Sequence, residues 1–492
     1  MQRLTNAQLD DLPIGIRAPA YARAGVTPGI LHLGVGAFHR AHQAVYVDDI
    51  LAAGDTSWGI VGASLRSQSV PDQLNPQQGL YSLMVRSAGA DDVRIIGAID
   101  RVLHAPTERE ALLDWIADPR IRVVTLTITE KGYCHDPATG NLLADHPGVI
   151  ADLADASVSV TALGYLCAGL QRRKARGAGP VTLLSCDNLP SNGKTLALVL
   201  SQFSRDYDPQ LAEWLNDNVS FPSSMIDRIV PATRAEDYQQ YAQMAGFDDQ
   251  GLVVTEPFTQ WVVEDNFIAG RPAFETVGVQ MVTDVEAYED IKLRCLNGAH
   301  SLLAYAGYLA GCKTIAETMA QPAFQQLLTA FWRDEVTPQV EVPEGFDLHA
   351  YQQELAQRFK NPALKHTTWQ IAMDGSQKIP QRWLATLRGQ LEGSGSVRWL
   401  SFGLACWMRY VAGFDESGQV IDVQDPLAKT LAQIAREQRD DTRAWVSAIL
   451  SVTSVFGDDL KANHRLQVSV ADWLVAMRSQ GTLAALSRSL KI

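Results

Sequence analysis

The sequence predicts an α/β fold, with a doubly wound, mainly parallel sheet in the N-terminal half and a mostly α-helical C-terminal half. Three observations carry this reading. The chain has 492 residues, 46% of them hydrophobic and 20% charged, which is more than one core accommodates, so two domains are expected. From Gly29 to about Val285, short apolar runs alternate with helix-like stretches, the pattern of βαβ units. Beyond about Asp284 such runs fade and apolar residues recur at helical spacing, which sets the expected domains at 1–284 and 285–492.

The expected strands, in order, are GILHLGVG, WGIVGASL, VRIIGAI, IRVVTLTIT, PVTLLSC and LVVTEPF. They are rich in Val, Ile, Leu and Thr and are punctuated by glycine or proline, as strands buried on both faces should be. In the second half, YEDIKLRCLNGAHSLLAYAGYLAG, FQQLLTAFWRDEV, VRWLSFGLACWMRYVAGF and DPLAKTLAQIAREQ read as helices. The stretch VEVPEGFDLHAY reads as an ordered excursion rather than a linker, and the sequence contains neither an internal repeat nor a low-complexity tract.

Composition excludes several functions. A formal net charge of -13 with no long basic run argues against nucleic acid as a partner. The first residues lack a basic start followed by an apolar run, and nowhere do 18 apolar residues follow one another, so a soluble, cytoplasmic protein with no membrane partner is expected. The six cysteines are scattered without a CxxC pair, which fits buried thiols better than disulfides or a zinc site. A small molecule is the expected partner.

In GILHLGVGAFHRAHQAVYVDDIL, Gly34 and Gly36 fall between an apolar strand and an amphipathic helix. Glycines in that context let the backbone approach a pyrophosphate at a helix N-terminus. The third position of GxGxxG is His39, and GxG alone also describes an ordinary tight turn. Phe38 and Arg40 in the same segment are further cofactor-binding candidates. The second strand ends in SLRSQS with no acid for the ribose hydroxyls. Arg66 there suits a 2′-phosphate as well as it suits a solvated loop, so NAD against NADP stays open at this point.

The segment YEDIKLRCLNGAH holds the chemistry. On an α-helix with Lys292 at zero, Glu289 falls at about 60°, His300 at about 80° and Asn297 at about 140°. A base, a carboxylate, an amide and an imidazole then share one side of an apolar helix. Solvated Glu and Lys beside a core histidine would explain that helix alone. SCDNLPSNGK, however, follows the strand PVTLLSC and puts Asp187 and Asn188 at the carboxyl edge of the sheet, where open α/β folds bind ligands. The sequence has no GxSxG, HExxH or GxxxxGK[ST] motif. His32, His39, His42 and His300 lack a metal-ligand pattern, so no metal is expected.

GVGAFHRAHQAVY, LTITEKGYC, LSCDNLPSNG, FPSSMIDRIVP, EPFTQWVVEDNFIAGRPAFE and KLRCLNGAHSLLAYAGYLAG, in this order, resemble the polyol-specific long-chain mannitol dehydrogenase family over nearly the whole chain. The resemblance implies a Rossmann-type N-terminal domain, a helical C-terminal domain and a metal-independent secondary-alcohol dehydrogenase using NAD(P). It implies Lys292 as general acid/base, Asn188 and Asn297 as the oxyanion hole, His300 as a substrate-orienting group and Glu289 as a gate for proton exchange. Asp227 and Lys378 match substrate-site positions, and Arg382 is a further candidate for the substrate. An unperturbed lysine is charged near neutral pH, so burial of Lys292 is required.

Two departures from the mannitol enzymes bear on specificity. Gln68 and Ser69 stand where NAD-specific members carry an acidic pair, and Gln370 stands where they carry a substrate-contacting arginine. The run LKHTTWQIAMDGSQKIPQR instead resembles the fructuronate reductases of the family. The substrate expected is therefore a sugar acid, D-fructuronate reduced to D-mannonate, with mannitol/fructose as the alternative polyol reading. A catalytically inactive nucleotide or sugar sensor would not need the base that this chain retains. Many members act as monomers, so a monomer is compatible with the resemblance.

Overall fold

The structure is a computed structural model and describes residues 2–87, 89, 91–136 and 139–491. The chain divides into two compact units, Met1–Glu286 and Ala287–Ile492. The first is built on a six-stranded sheet: β1 (Pro28–Leu33), β2 (Gly59–Ser64), β3 (Ile99–His104), β4 (Val123–Leu126), β5 (Val181–Ser185) and β6 (Val219–Ser220). Every pairing is parallel and the order is β3-β2-β1-β4-β5-β6. Chain order thus reverses between β1 and β4, the topological switch point of a dinucleotide-binding sheet.

Side chains alternate between two cores, as the period of a strand requires. Leu31 and Leu33 of β1 and Val61 and Ala63 of β2 join Leu113, Leu166 and Phe203 on one face. Ile30 and Ile60 join Tyr46, Leu51 and Trp261 on the other. With both faces covered, the central strands are the apolar runs seen in the sequence.

Two of the expected strands belong elsewhere. Asp92–Ile96 (VRIIGAI) and Val253–Thr255 (LVVTEPF) flank Tyr81–Val85 in a separate four-stranded sheet with Ile16–Arg17. The third strand of the main sheet is IDRVLH. It lies at the edge with Asp100 and Arg101 exposed, so its sequence carries no continuous apolar run. The sixth has only two residues. A third sheet joins Ser224–Asp227, Gln260–Glu264 and Gln280–Val282.

The second unit is helical, but its first long helix departs from the expected one. α-Helix Glu286–Ile291 passes into a π-helix, Lys292–Gly298, and returns to α-helix at Ala299–Leu309. Two more π-helical segments, Trp332–Val336 and Pro380–Leu384, pack against the first. The buried helix Arg398–Val411 packs against Ala299–Leu309 and His464–Gln480. The carboxylate of Glu335, from the second π segment, accepts the N–H groups of Trp399 and Leu400 at 2.8 and 2.7 Å and so caps that buried helix. The six cysteines are free thiols, five of them buried. Among the described residues no helix is long and apolar enough to cross a membrane, and no group of three or more His, Cys, Asp or Glu converges on a metal-sized site.

Candidate active site

In the first unit, Gly34 ends β1 at φ +96°, and a Cβ there would collide with the Thr127 carbonyl oxygen beyond β4. Sterics within the fold therefore demand this glycine. Gly36 differs: its φ of -91° suits any residue, and a Cβ would meet only the Gly34 carbonyl oxygen at 3.8 Å. It is the N-cap of the short helix Ala37–Ala41 and leaves the turn bare of side chain. That turn at the switch point fits a dinucleotide whose pyrophosphate must approach backbone closely.

The third glycine of the fingerprint normally permits close helix–strand packing. Here the His39 ring lies flat on His32 of β1, centroids 3.4 Å apart, so a planar side chain occupies the tight space. Phe38 is half-buried and stacks on His42 at 5.1 Å. Arg40, a cofactor-binding candidate in the sequence, is buried, and its guanidinium donates to the carbonyls of Gly251 at 2.5 Å and Gly36 at 3.3 Å. Its charge is thereby held inside the unit, where it braces the turn. Arg66 is exposed in the loop after β2.

At the ends of β4 and β5, Asp187 joins two loops. It accepts the N–H groups of Ile128 and Thr129, both at 2.9 Å, and the Tyr133 hydroxyl at 2.8 Å. Burial pushes its carboxyl pKa up, against these donors. Thr129 has φ +64°, a costly conformation for a β-branched residue, and the carboxylate holds it there. Asn188, exposed, follows directly. Asn192 braces the same loop by donating to the carbonyls of Asp187 and Ser224. Asp227, 5% exposed, ends the strand beginning at Ser224. The neighbouring Arg228 ties that segment to the Ala41 carbonyl at 2.5 Å. Neither Asp187's bridging nor Arg228's tie has a local sequence signature, because both depend on loops distant in the chain.

In the second unit, Lys292 is 8% exposed, which satisfies the burial its expected role requires, and it opens the π-helical segment. In π geometry residue i+5 lies about one turn on, whereas an α-helix would set it about 140° round. Asn297 therefore comes onto the side of Lys292 more fully than the α-helical projection indicates. Glu289 is half-buried one turn earlier. His300, also 8% exposed, stacks on Phe359 at 5.2 Å and faces His366 at 5.2 Å. Its Nε2 has no hydrogen-bond partner among the described residues. Burial, then the positive fields of His366, Arg382, Arg358 and Lys378, push its pKa well below the usual histidine value, so the imidazole is neutral.

Lys378 is half-buried, with Nζ 3.4 Å from the Ile371 carbonyl. Arg382 directs Nη1 to the Asn297 carbonyl at 3.3 Å and the Ser301 hydroxyl at 2.8 Å. Part of its donor fork thus supports the π segment. Gln370 is exposed.

A parallel sheet whose order reverses beside a glycine turn is the architecture of a dinucleotide-binding domain. Comparison with known proteins specifies the class further. The Mannitol dehydrogenase Rossmann domain matches residues 28–276 and the Mannitol dehydrogenase C-terminal domain matches residues 284–478. The chain belongs to the mannitol dehydrogenase family, and is an oxidoreductase acting on secondary alcohols.

An oxidoreductase of Escherichia coli (strain K12) is 44% identical, covering 98% of both chains. The D-mannonate oxidoreductase of the same organism is 42% identical over 92% of this chain and 94% of its own. The structure of Pseudomonas fluorescens mannitol 2-dehydrogenase in a ternary complex with NAD and D-mannitol superposes with a TM-score of 0.87 at 36% identity, covering 100% of both chains.

Proposed function

We propose that the chain reduces D-fructuronate to D-mannonate with NADH, reversibly and without a metal. The observation that carries this reading is the set of cationic side chains whose fields act on His300: Arg358, Lys378 and Arg382. A hexuronate brings a carboxylate whose unpaired burial would cost several kcal/mol, and cationic donors beside it would offset that cost. Lys378 is assigned to that carboxylate, with Arg382 as a second donor. The similarity to D-mannonate oxidoreductase supports the same substrate.

NADH, when bound, supplies the hydride. The residues assigned to hold it are Gly34, Gly36 and Phe38, with Arg66 beside the ribose. As the carbonyl becomes an alcohol, negative charge develops on its oxygen, and Asn188 and Asn297 donate their amide N–H groups there. Lys292 gives the proton that completes the alcohol and withdraws it in the reverse direction. Neutral His300 offers Nε2 to a substrate oxygen, and Asp227 accepts a substrate hydroxyl. Glu289, one turn from Lys292, gates proton exchange with solvent, so that Lys292 is reprotonated after reduction and deprotonated after oxidation.

Mannitol 2-dehydrogenase is the second reading, favoured by the full-length similarity to the Pseudomonas fluorescens enzyme. Purified enzyme assayed with D-fructuronate and D-fructose at equal NADH separates the two. We expect at least about tenfold higher kcat/KM for D-fructuronate, or roughly 1.4 kcal/mol of differential transition-state binding. A preference for D-fructose overturns the hexuronate assignment.

A further inference from the structure

The π-helical segment Lys292–Gly298 is an unusual piece of backbone at the centre of the second unit. An α-helix would join the N–H of Ala299 to the carbonyl of Cys295, but here it donates to Leu296. The Cys295 carbonyl, passed over by Ala299, needs another donor, because a buried unpaired acceptor is costly. Trp332 Nε1 donates to the Cys295 carbonyl at 2.9 Å, and Trp383 Nε1 donates to the Gly298 carbonyl at 2.9 Å. Both indoles are buried, at 4% and 1% exposure. Each comes from one of the other two π segments, and both of those segments pack against the first.

Gly298 allows this approach: a Cβ there would lie 3.1 Å from the Arg382 carbonyl oxygen and 3.5 Å from Trp383. The donors come from two separate segments, and the acceptors they choose bracket Asn297. π-Helical turns are strained relative to α-helix and persist where surroundings over-determine them.

We propose that Trp332 and Trp383 are positioning residues: their indole N–H groups hold Lys292–Gly298 in π geometry, which keeps Lys292 and Asn297 on one side of the helix. The pair touches no substrate and acts through the backbone of the catalytic segment. The proposal rests on the reading of Lys292 and Asn297 as catalytic, but its structural half stands apart from that reading.

Each tryptophan is replaced by phenylalanine and, in a second pair of variants, by β-(3-benzothienyl)alanine. The latter keeps the ring's shape and lacks the N–H, so it preserves packing where phenylalanine fails to fold. Trp473→Phe is the control, since Trp473 Nε1 donates to the Arg398 carbonyl at 3.0 Å and lies outside the π segments. Amide hydrogen exchange over residues 292–298 and steady-state kinetics with NADH and D-fructuronate, or D-fructose if that is the substrate turned over, are measured on each protein.

Loss of either indole donor should speed exchange in the segment by roughly tenfold or more and lower kcat by roughly tenfold, with KM changed less than about threefold. Trp473→Phe should change neither. Exchange that stays at the wild-type rate in the benzothienyl variants overturns the clamp, as does an equal acceleration in the control. If exchange accelerates while kcat is unaffected, the clamp holds the segment but does not position catalysis, which overturns the proposal. Lys292→Ala assayed in parallel separates this from failure of the functional reading: full turnover in that variant refutes the catalytic lysine, and the exchange result still decides the clamp.

Discussion

His32 and His39 stack face to face, with ring centroids 3.4 Å apart and planes inclined by 14°, both wholly buried beneath the glycine turn. Burial lowers the pKa of His32 to about 3, and burial with the neighbouring positive charges takes that of His39 well below the usual value. In the unfolded chain each takes up a proton near pH 6.5. Between about pH 6.5 and the folded pKa the unfolded state binds more protons, so stability is full above that window and falls as pH falls through it. His32, with its folded pKa at about 3, should remove about 2 kcal/mol by pH 5, and His39 acts in the same direction. His39→Phe keeps a ring on His32 and removes one contribution, so its denaturation midpoint should fall less steeply between pH 7.5 and 5. Parallel slopes for variant and wild type would count against this account.

Lys292→Ala should lower turnover by roughly 10²- to 10⁴-fold, the usual contribution of a positioned acid/base. Binding of NADH, followed by fluorescence titration, should survive because the dinucleotide turn lies in the first unit. Near-normal turnover in the folded variant would remove Lys292 from the mechanism.

Asn188→Ala and Asn297→Ala should each reduce kcat by about 10²- to 10³-fold, since each removes a donor aimed at developing charge on oxygen. Their effects on KM should be smaller. A variant that raises KM while leaving kcat intact would place its asparagine in ground-state binding instead.

Activity should be unchanged after dialysis against EDTA, because no metal-sized group of His, Cys, Asp or Glu converges among the described residues and the proposed proton donor is Lys292. Loss on chelation, with recovery on adding zinc, would require a metal in the reaction.

Much of the central sheet was legible because strands buried on both faces are mostly apolar, as β1, β2, β4 and β5 are apart from His32, Ser64, Thr125, Thr182 and Ser185. IDRVLH was not, since an edge strand keeps polar residues such as Asp100 and Arg101. The strands from VRIIGAI and LVVTEPF were recognisable as strands but not as members of another sheet, because pairing partners are chosen by contacts far along the chain. Among the site candidates, Gly34 was legible from the strand–turn–helix pattern. The bracing by Arg40, the fourth residue of its helix, was not legible, because its acceptor Gly251 lies more than two hundred residues on. The π turn at Lys292 was invisible to a 3.6-residue period. It depends on Trp332 and Trp383, whose indoles look like ordinary core residues in the sequence.

The π segments also bear on which changes of chain length the second unit tolerates. A one-residue deletion between Lys292 and Gly298 would let the backbone relax to an unbroken α ladder, in which residue i+4 falls about where i+5 falls in the π turn, so the helix beyond would keep its facing. His300 would stay on its stack with Phe359, but the Cys295 carbonyl would return to the ladder and Trp332 would lose the acceptor it now serves. The extra residue is thus absorbed locally, whereas a deletion in the α-helix Ala299–Leu309 would turn everything after it by about 100°.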